Sequence, residues 1–318
     1  MLCFFAFKYI NNYPKSIVIR GLYTMSKIDY NKKSARENGW DPSWFGAEDF
    51  DQDLIDKIIN FQKEMKVTAD GMCGPGTFRL IYTDRLGDFE IDPKSEESKD
   101  RSLIFKGNEV DIEWDKVVRW IDDDGYNLSK TPKLDPDRDI KMFVTHWDVC
   151  LSAKSCVNVL NKRGIHVHFC IDNDGTIYQL ADMASICWHA GGKYWNRDSI
   201  GVEISNAFYP KYQKNYVKKG FGERPIIKGS KVHGNSVEDH LGFYPVQIEA
   251  LKALYKAVNR AAGVPLEAPL DQNGDYIYGV SKEAEKNNFR GFVSHHHLTR
   301  RKMDCCNINI EDLLKEIR

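Results

Sequence analysis

Three side chains able to share one metal ion stand far apart in this chain, and any fold it adopts has to accommodate their meeting. His146 ends an apolar run, Met142-Phe143-Val144-Thr145-His146-Trp147. The others lie near the C-terminus, in Ser294-His295-His296-His297-Leu298-Thr299-Arg300-Arg301-Lys302-Met303-Asp304-Cys305. Two imidazoles and one carboxylate are the ligand set of a catalytic zinc site that keeps a fourth position for water. A lone histidine at a strand end is more often structural. The second cluster changes that balance, because His295 and Asp304 flank a loop that carries the cation Lys302. Between the two halves, Trp188-His189-Ala190-Gly191 and Ser199-Ile200-Gly201-Val202-Glu203 offer a polarising imidazole and a general base. If these groups converge, the chain is a zinc hydrolase.

The bulk properties narrow the partners. At 318 residues the chain can hold one large domain or a large plus a small one. Its 45 Lys+Arg against 46 Asp+Glu leave no basic footprint for nucleic acid. A polymer read by shape and hydrogen bonds suits this surface better than one held by charge. Cys3, Cys73, Cys150, Cys156, Cys170, Cys187, Cys305 and Cys306 show no regular spacing. Mostly reduced thiols and synthesis in a cytoplasm are expected. The apolar stretch Leu2–Phe7 is ended by Lys8, too early for a secretory core, and no Ala-x-Ala site follows. Residues 1–30 are read as a disordered N-terminal extension, with 1–24 either non-native or, on a weaker reading, a targeting segment. No run approaches the roughly 20 apolar residues of a membrane span.

The N-terminal third predicts a small helical unit. Leu54, Ile55, Ile58, Ile59, Gln62 and Met65 share one helical face. An Asp70-Gly71 turn follows, and Pro75 opens a second helix. Phe61-Gln62, Val67-Thr68-Ala69-Asp70-Gly71 and Gly74-Pro75-Gly76-Thr77 together resemble the peptidoglycan-binding domain type 1 family, over roughly residues 35–85. The resemblance implies a wall-binding domain at 31–85. A charged linker is expected at 86–105, ahead of a main domain at 106–318.

In the main domain, a short helix is expected at 113–121, carrying Trp114, Val117, Val118 and Trp120. Beyond His146 the pattern alternates. A helix is expected at 152–162, strands at 166–172 and 176–181 around the turn Asp174-Gly175, and a buried strand at 199–205. Residues 209–241 form a polar insertion with no readable pattern. An amphipathic helix over 245–262, a strand at Phe292-Val293 and a helix at 308–317 complete the chain. This alternation predicts an α/β domain with a mixed central β-sheet flanked by helices.

Five ordered motifs over residues 140–318 resemble the zinc-dependent N-acetylmuramoyl-L-alanine amidases of the amidase-2 family, relatives of the peptidoglycan recognition proteins. They are Val144-Thr145-His146-Trp147, His168 through Gln179, Trp188 through Gly191, Asn196 through Glu203, and His295 through Asp304. The resemblance implies zinc held by His146, His295 and Asp304. The spacing to Lys302 and Asp304 favours His295 over His296 and His297. Cys305 stands as a minority alternative to Asp304. Val167 occupies a position where some members carry a tyrosine, which leaves Glu203 as the base. Lys302, with His189, is expected to stabilise the oxyanion, and Trp188, His189 and Asn196 to bind substrate. The implied reaction is cleavage of the amide between N-acetylmuramic acid and L-alanine of the stem peptide by a monomeric endolysin or autolysin. The rivals are a non-catalytic peptidoglycan receptor and a zinc hydrolase cutting a different amide.

Overall fold

The computed structural model describes residues 25–91 and 102–318. Residues 1–24 of the expected extension and 92–101 of the expected linker lie outside the described residues; the extension's last residues, from Lys27, are helical instead, and the linker's last residues, Ser102–Phe105, form a strand. The described residues divide into two compact units, with the boundary between Arg85 and Leu86.

The first unit is helical: α1 (Lys27–Asn38), a 3-10 turn (Pro42–Phe45), α2 (Gln52–Glu64) and the start of α3 (Pro75–Glu90). Leu54, Ile55 and Ile58 of α2 are buried, together with Phe78 and Ile81 of α3. The loop between α2 and α3 is organised by one side chain. Gln62 Nε2 donates to Asp70 Oδ1 at 2.9 Å, to Met72 O at 3.0 Å and to Thr77 Oγ1 at 3.0 Å. Its Oε1 accepts from Gly71 N at 2.9 Å. The Gln, Asp-Gly and Gly-Pro-x-Thr elements of the motif are therefore parts of one buried hydrogen-bond hub. Gly71 has φ +75 and is packed against Ile55, so glycine suits both its backbone and its space. From α1, Asn31 Nδ2 donates to Gly71 O, and Asn31 Oδ1 accepts from Cys73 N.

The second unit begins where α3 runs on to Glu90, so the first residues of the expected linker are helical. Its strands and helices in chain order are β1 (Ser102–Phe105), β2 (Asn108–Asp111), β3 (Val117–Arg119), β4 (Lys133–Leu134), β5 (Met142–Trp147), α4 (Ala153–Arg163), β6 (Phe169–Ile171), β7 (Ile177–Gln179), β8 (Ser185–Ile186), α5 (Lys193–Arg197) and β9 (Ser199–Ile204). After a 3-10 turn (Pro210–Tyr212) follow α6 (Gln213–Lys218), β10 (Ile226–Ile227), β11 (Lys231–Val232), β12 (Asn235–Ser236), β13 (His240–Leu241), α7 (Pro245–Ala262), α8 (Lys282–Glu285), β14 (Gly291–Ser294), α9 (His295–Leu298) and α10 (Ile310–Ile317).

A six-stranded mixed sheet runs in the order β14-β5-β9-β6-β7-β3. Neighbours are parallel except the β6–β7 hairpin. Strand alternation gives each face its own task. Phe143 and Phe292 point to the face covered by α7, where their rings lie 5.3 and 4.4 Å from Tyr255. Thr145 Oγ1 and Tyr255 Oη are 2.6 Å apart on the same side. Met142, Val144 and Val293 point the other way, into a cluster with Ala190, Ala284 and Leu298. His146 belongs to this second face.

The helix expected at 113–121 is not formed. Val117 and Val118 instead lie in β3, buried and paired in parallel with Ile177 and Tyr178. β-Branched neighbours fit a pleated sheet edge better than a helix, and Arg119 is tied down by Asp122, Glu109 and Ser102. The insertion 209–241 does fold. The pairs β10–β13 and β11–β12 are nested antiparallel ribbons. Buried Arg224 anchors the base of the β10–β13 pair, donating to Gly242 O, Gln247 Oε1, Ser205 O and Asn173 Oδ1. Its guanidinium lies 4.2 Å from the Tyr216 ring and 4.3 Å from the Tyr244 ring. None of the seven described cysteines is in a disulfide.

The hub in the first unit predicts a local defect. Gln62→Ala strands Gly71 N and its neighbours, at a cost of roughly 2–3 kcal/mol. Hydrogen exchange should show lost protection over residues 54–80 with the sheet amides of the second unit unchanged. Unchanged protection over 54–80 would contradict the hub.

Candidate metal centre

The sheet order brings the separated ligand candidates together. β14 pairs directly with β5, Val293 opposite Val144 and Ser294 opposite Thr145. His146 is the next residue of β5, and His295 opens α9 immediately after β14. Their Nδ1 atoms stand 2.8 Å apart. Asp304 returns on the following loop, which is tied back by His296 N donating to Asp304 O at 3.0 Å. Asp304 Oδ2 lies 3.1 Å from each Nδ1.

Three buried atoms carrying lone pairs at these distances repel one another unless a proton or cation lies among them. The donors of a tetrahedral ion with bonds of about 2 Å stand roughly 3–3.5 Å apart. The donor set and its spacing therefore fit a divalent cation. The protonation states agree with that use. Burial pushes His295 down to about 3, so its imidazole is neutral at physiological pH. Burial would raise Asp304, but His295, His146 and Lys302 outweigh it and hold the carboxyl well below the ordinary carboxylate range. Neutral imidazole and ionised carboxylate are the forms that ligate.

A second group, Asp148, Cys150 and Cys156, also has donor atoms close enough for an ion. Its carboxylate is already engaged: Asp148 Oδ1 accepts from Cys150 N and Asn206 N, and Oδ2 accepts from Ser205 Oγ. This aspartate organises the turn after β5.

The alternatives to the three donors have other surroundings. His297 is held by both nitrogens, accepting from Ser294 N at 3.0 Å and donating to Ile277 O at 2.7 Å. His296 turns away, its ring 6.3 Å from His233 and 6.4 Å from Tyr276. Cys305 is buried, and burial raises its thiol well above the ordinary value.

Glu203 sits opposite His146 in the β5–β9 register. Side chains paired this way share a face, so its carboxylate is on the side of the sheet where His146 lies. Lys302 lies close enough for its charge to depress both His295 and Asp304. Its backbone carbonyl accepts from His233 Nε2 at 2.8 Å, a contact from the β11–β12 ribbon. His189 lies against His146, with Nδ1 3.0 Å from His146 Nε2. Burial holds its pKa well below the ordinary histidine value. Trp188 is 62% exposed and Tyr194 61% exposed, so both offer open aromatic faces. Trp195 packs against the Val144–Leu298 cluster instead. Asn196, expected to bind substrate, is buried, and its Oδ1 accepts from His189 N and Ala190 N. It fixes the loop that carries Trp188 and His189. Ser199 and Gly201 were not among the expected site residues. Their signal was the two-residue strand period that places them on the face of Glu203.

No curated protein sequence matches the chain. Solved structures similar to it include an endolysin N-acetylmuramoyl-L-alanine amidase, LysCS, from Clostridium intestinale. That protein is 17% identical, with 64% of this chain and 95% of that chain covered and a TM-score of 0.37. The Staphylococcus aureus hydrolase AmiA is 12% identical, covering 64% of this chain and 81% of that one, with a TM-score of 0.40. A Drosophila PGRP-LB mutant in complex with tracheal cytotoxin is 14% identical, covering 57% and 84%, with a TM-score of 0.31. The assignment rests on the family match rather than on these likenesses. Residues 136–306 match the N-acetylmuramoyl-L-alanine amidase family, Amidase_2, a span that holds all three donors, Glu203 and Lys302. Since that match takes in more than half of the chain, the protein belongs to the amidase-2 family of N-acetylmuramoyl-L-alanine amidases.

Proposed function

We propose that this amidase holds zinc with His146, His295 and Asp304 and uses Glu203 as its general base. The bond cut is the amide between the lactyl group of N-acetylmuramic acid and L-alanine of the stem peptide. The observation that carries this reading is the meeting of His146, His295 and Asp304 within 3.1 Å, on the face of the sheet that Glu203 shares.

Zinc, when bound, supplies a Lewis acid that polarises the scissile carbonyl and lowers the pKa of water towards 7. Glu203 takes a proton from the attacking water and passes it to the nitrogen of L-alanine as the amide bond breaks. Lys302 faces the negative charge that builds on the carbonyl oxygen. The exposed ring of Trp188 offers a stacking face for the substrate, and Asn196 holds the loop that presents it. The helical first unit carries the Gln62-centred motif and is read as the module that keeps the enzyme on the wall. The protein is made in a cytoplasm and acts on the wall as an endolysin. No described helix is long and apolar enough to cross a membrane.

Digestion of purified peptidoglycan, with products read by mass spectrometry, tests the reaction. Release of stem peptides beginning with L-alanine is expected. Cleavage inside the stem peptide would keep the metal site and discard the named bond. Intact wall that still captures the protein would favour the receptor reading.

Glu203→Gln should lower the turnover number about 10²- to 10⁴-fold while zinc content stays near one per chain. A turnover number within threefold of the parent, roughly, would remove Glu203 from the base role. His146→Ala and Asp304→Ala should each abolish stoichiometric zinc by elemental analysis. Chelator-treated parent protein should recover activity on adding zinc back; failure to recover, with the fold intact by circular dichroism, counts against a zinc enzyme.

A further inference from the structure

Among the described residues, His189 is the imidazole that meets a ligand candidate's ring without joining the donor set. Its Nδ1 lies 3.0 Å from His146 Nε2, on the side of the His146 ring remote from the metal donors. Its other nitrogen, Nε2, lies 3.3 Å from Ser199 Oγ. Ser199 Oγ in turn lies 2.5 Å from Trp195 O.

The direction of this chain is set at its far end. A carbonyl oxygen only accepts, so the Ser199 hydroxyl donates its proton to Trp195 O. Ser199 Oγ is then left to accept from His189 Nε2–H. A neutral imidazole that donates from Nε2 accepts at Nδ1, so His189 Nδ1 accepts from His146 Nε2–H. That leaves the lone pair of His146 on Nδ1, the atom 2.8 Å from His295 and 3.1 Å from Asp304. One backbone carbonyl thereby specifies the tautomer of a metal ligand through two side chains.

The sequence of β9 provides for this arrangement. Ser199, Gly201 and Glu203 alternate onto one face. Ser199 ends the hydrogen-bond chain, and Gly201 makes room for it. A Cβ at Gly201 would overlap the His189 imidazole at Nδ1, Cε1 and Cγ. Asn196 adds a third hold, accepting from His189 N at 3.1 Å. His189 is therefore fixed by its backbone, by the space under its ring and by both ring nitrogens.

We infer that His189 is a positioning residue, which with Ser199 orients His146 and sets its tautomer for zinc. This rests on the zinc reading above and deepens it. Outer-shell partners of ligating histidines typically contribute 10- to 100-fold in metal affinity.

The test is zinc affinity by chelator competition on the full chain, beside nitrogen-15 shifts of His146 in zinc-free protein. His189→Ala should bind zinc about 10- to 100-fold more weakly, and Ser199→Ala should fall between it and the parent. His189→Asn, whose Oδ1 can stand where Nδ1 stood, should recover most of the loss. In the parent, His146 should show a protonated Nε2 and a bare Nδ1; in His189→Ala the two tautomers should mix. Parental affinity in His189→Ala, or no recovery in His189→Asn, overturns the inference. If the parent itself holds no zinc, the site reading falls and this inference falls with it. If the parent holds zinc and cuts peptidoglycan while His189→Ala binds zinc equally well, only the inference falls.

Discussion

The parallel pairing of β14 with β5 is the contact on which the site depends. It places Val293 against Val144 and Ser294 against Thr145, so that the next residue of each segment is a histidine. Residues 149 positions apart in sequence become neighbours through four backbone register pairs. The interior behind them holds the register. Phe143 and Phe292 are clamped under Tyr255 on one face, and Met142, Val144 and Val293 pack on the other. Slipping either strand by one residue would exchange these two faces and take His146 out of the site. The burial of the sheet and the meeting of His146, His295 and Asp304 are thus one constraint.

A second layer makes the site rigid. β9 lies on the other side of β5 and carries Glu203, Gly201 and Ser199 on the face of His146. The loop from Trp188 to Ala190 is held by Asn196, and its histidine closes onto His146. The β11–β12 ribbon reaches the Lys302 loop through His233. Glu203, His189 and Lys302 are thus each held on a strand or on a loop tied to its neighbours.

The legible part of this protein was its rare chemistry and its strongest periodicities. His146, and the loop from His295 to Asp304, stood out because histidine, aspartate and lysine at that spacing have few structural reasons to occur together. The helix at Pro245–Ala262 and the strands around His146 and Glu203 announced themselves by apolar pattern. Val117 and Val118 were misassigned because four apolar residues over so short a span suit either period, and the parallel partner Ile177-Tyr178 decides for strand. The insertion was opaque for another reason. Its order comes from Arg224 between two tyrosines, a polar and aromatic anchor with no period to read. The link from His146 through His189 to Ser199 was hidden because it needs the ring orientations, which no spacing conveys.

The central claim is that one metal ion is shared by residues delivered from two adjacent parallel strands and the loop that follows. Anomalous diffraction at the zinc edge, on crystals of the zinc-loaded full chain, tests it most directly. The account predicts one strong peak within bonding distance of His146 Nδ1, His295 Nδ1 and Asp304 Oδ2. A peak at Asp148, Cys150 and Cys156 instead, or an ion bound without His146, would contradict it.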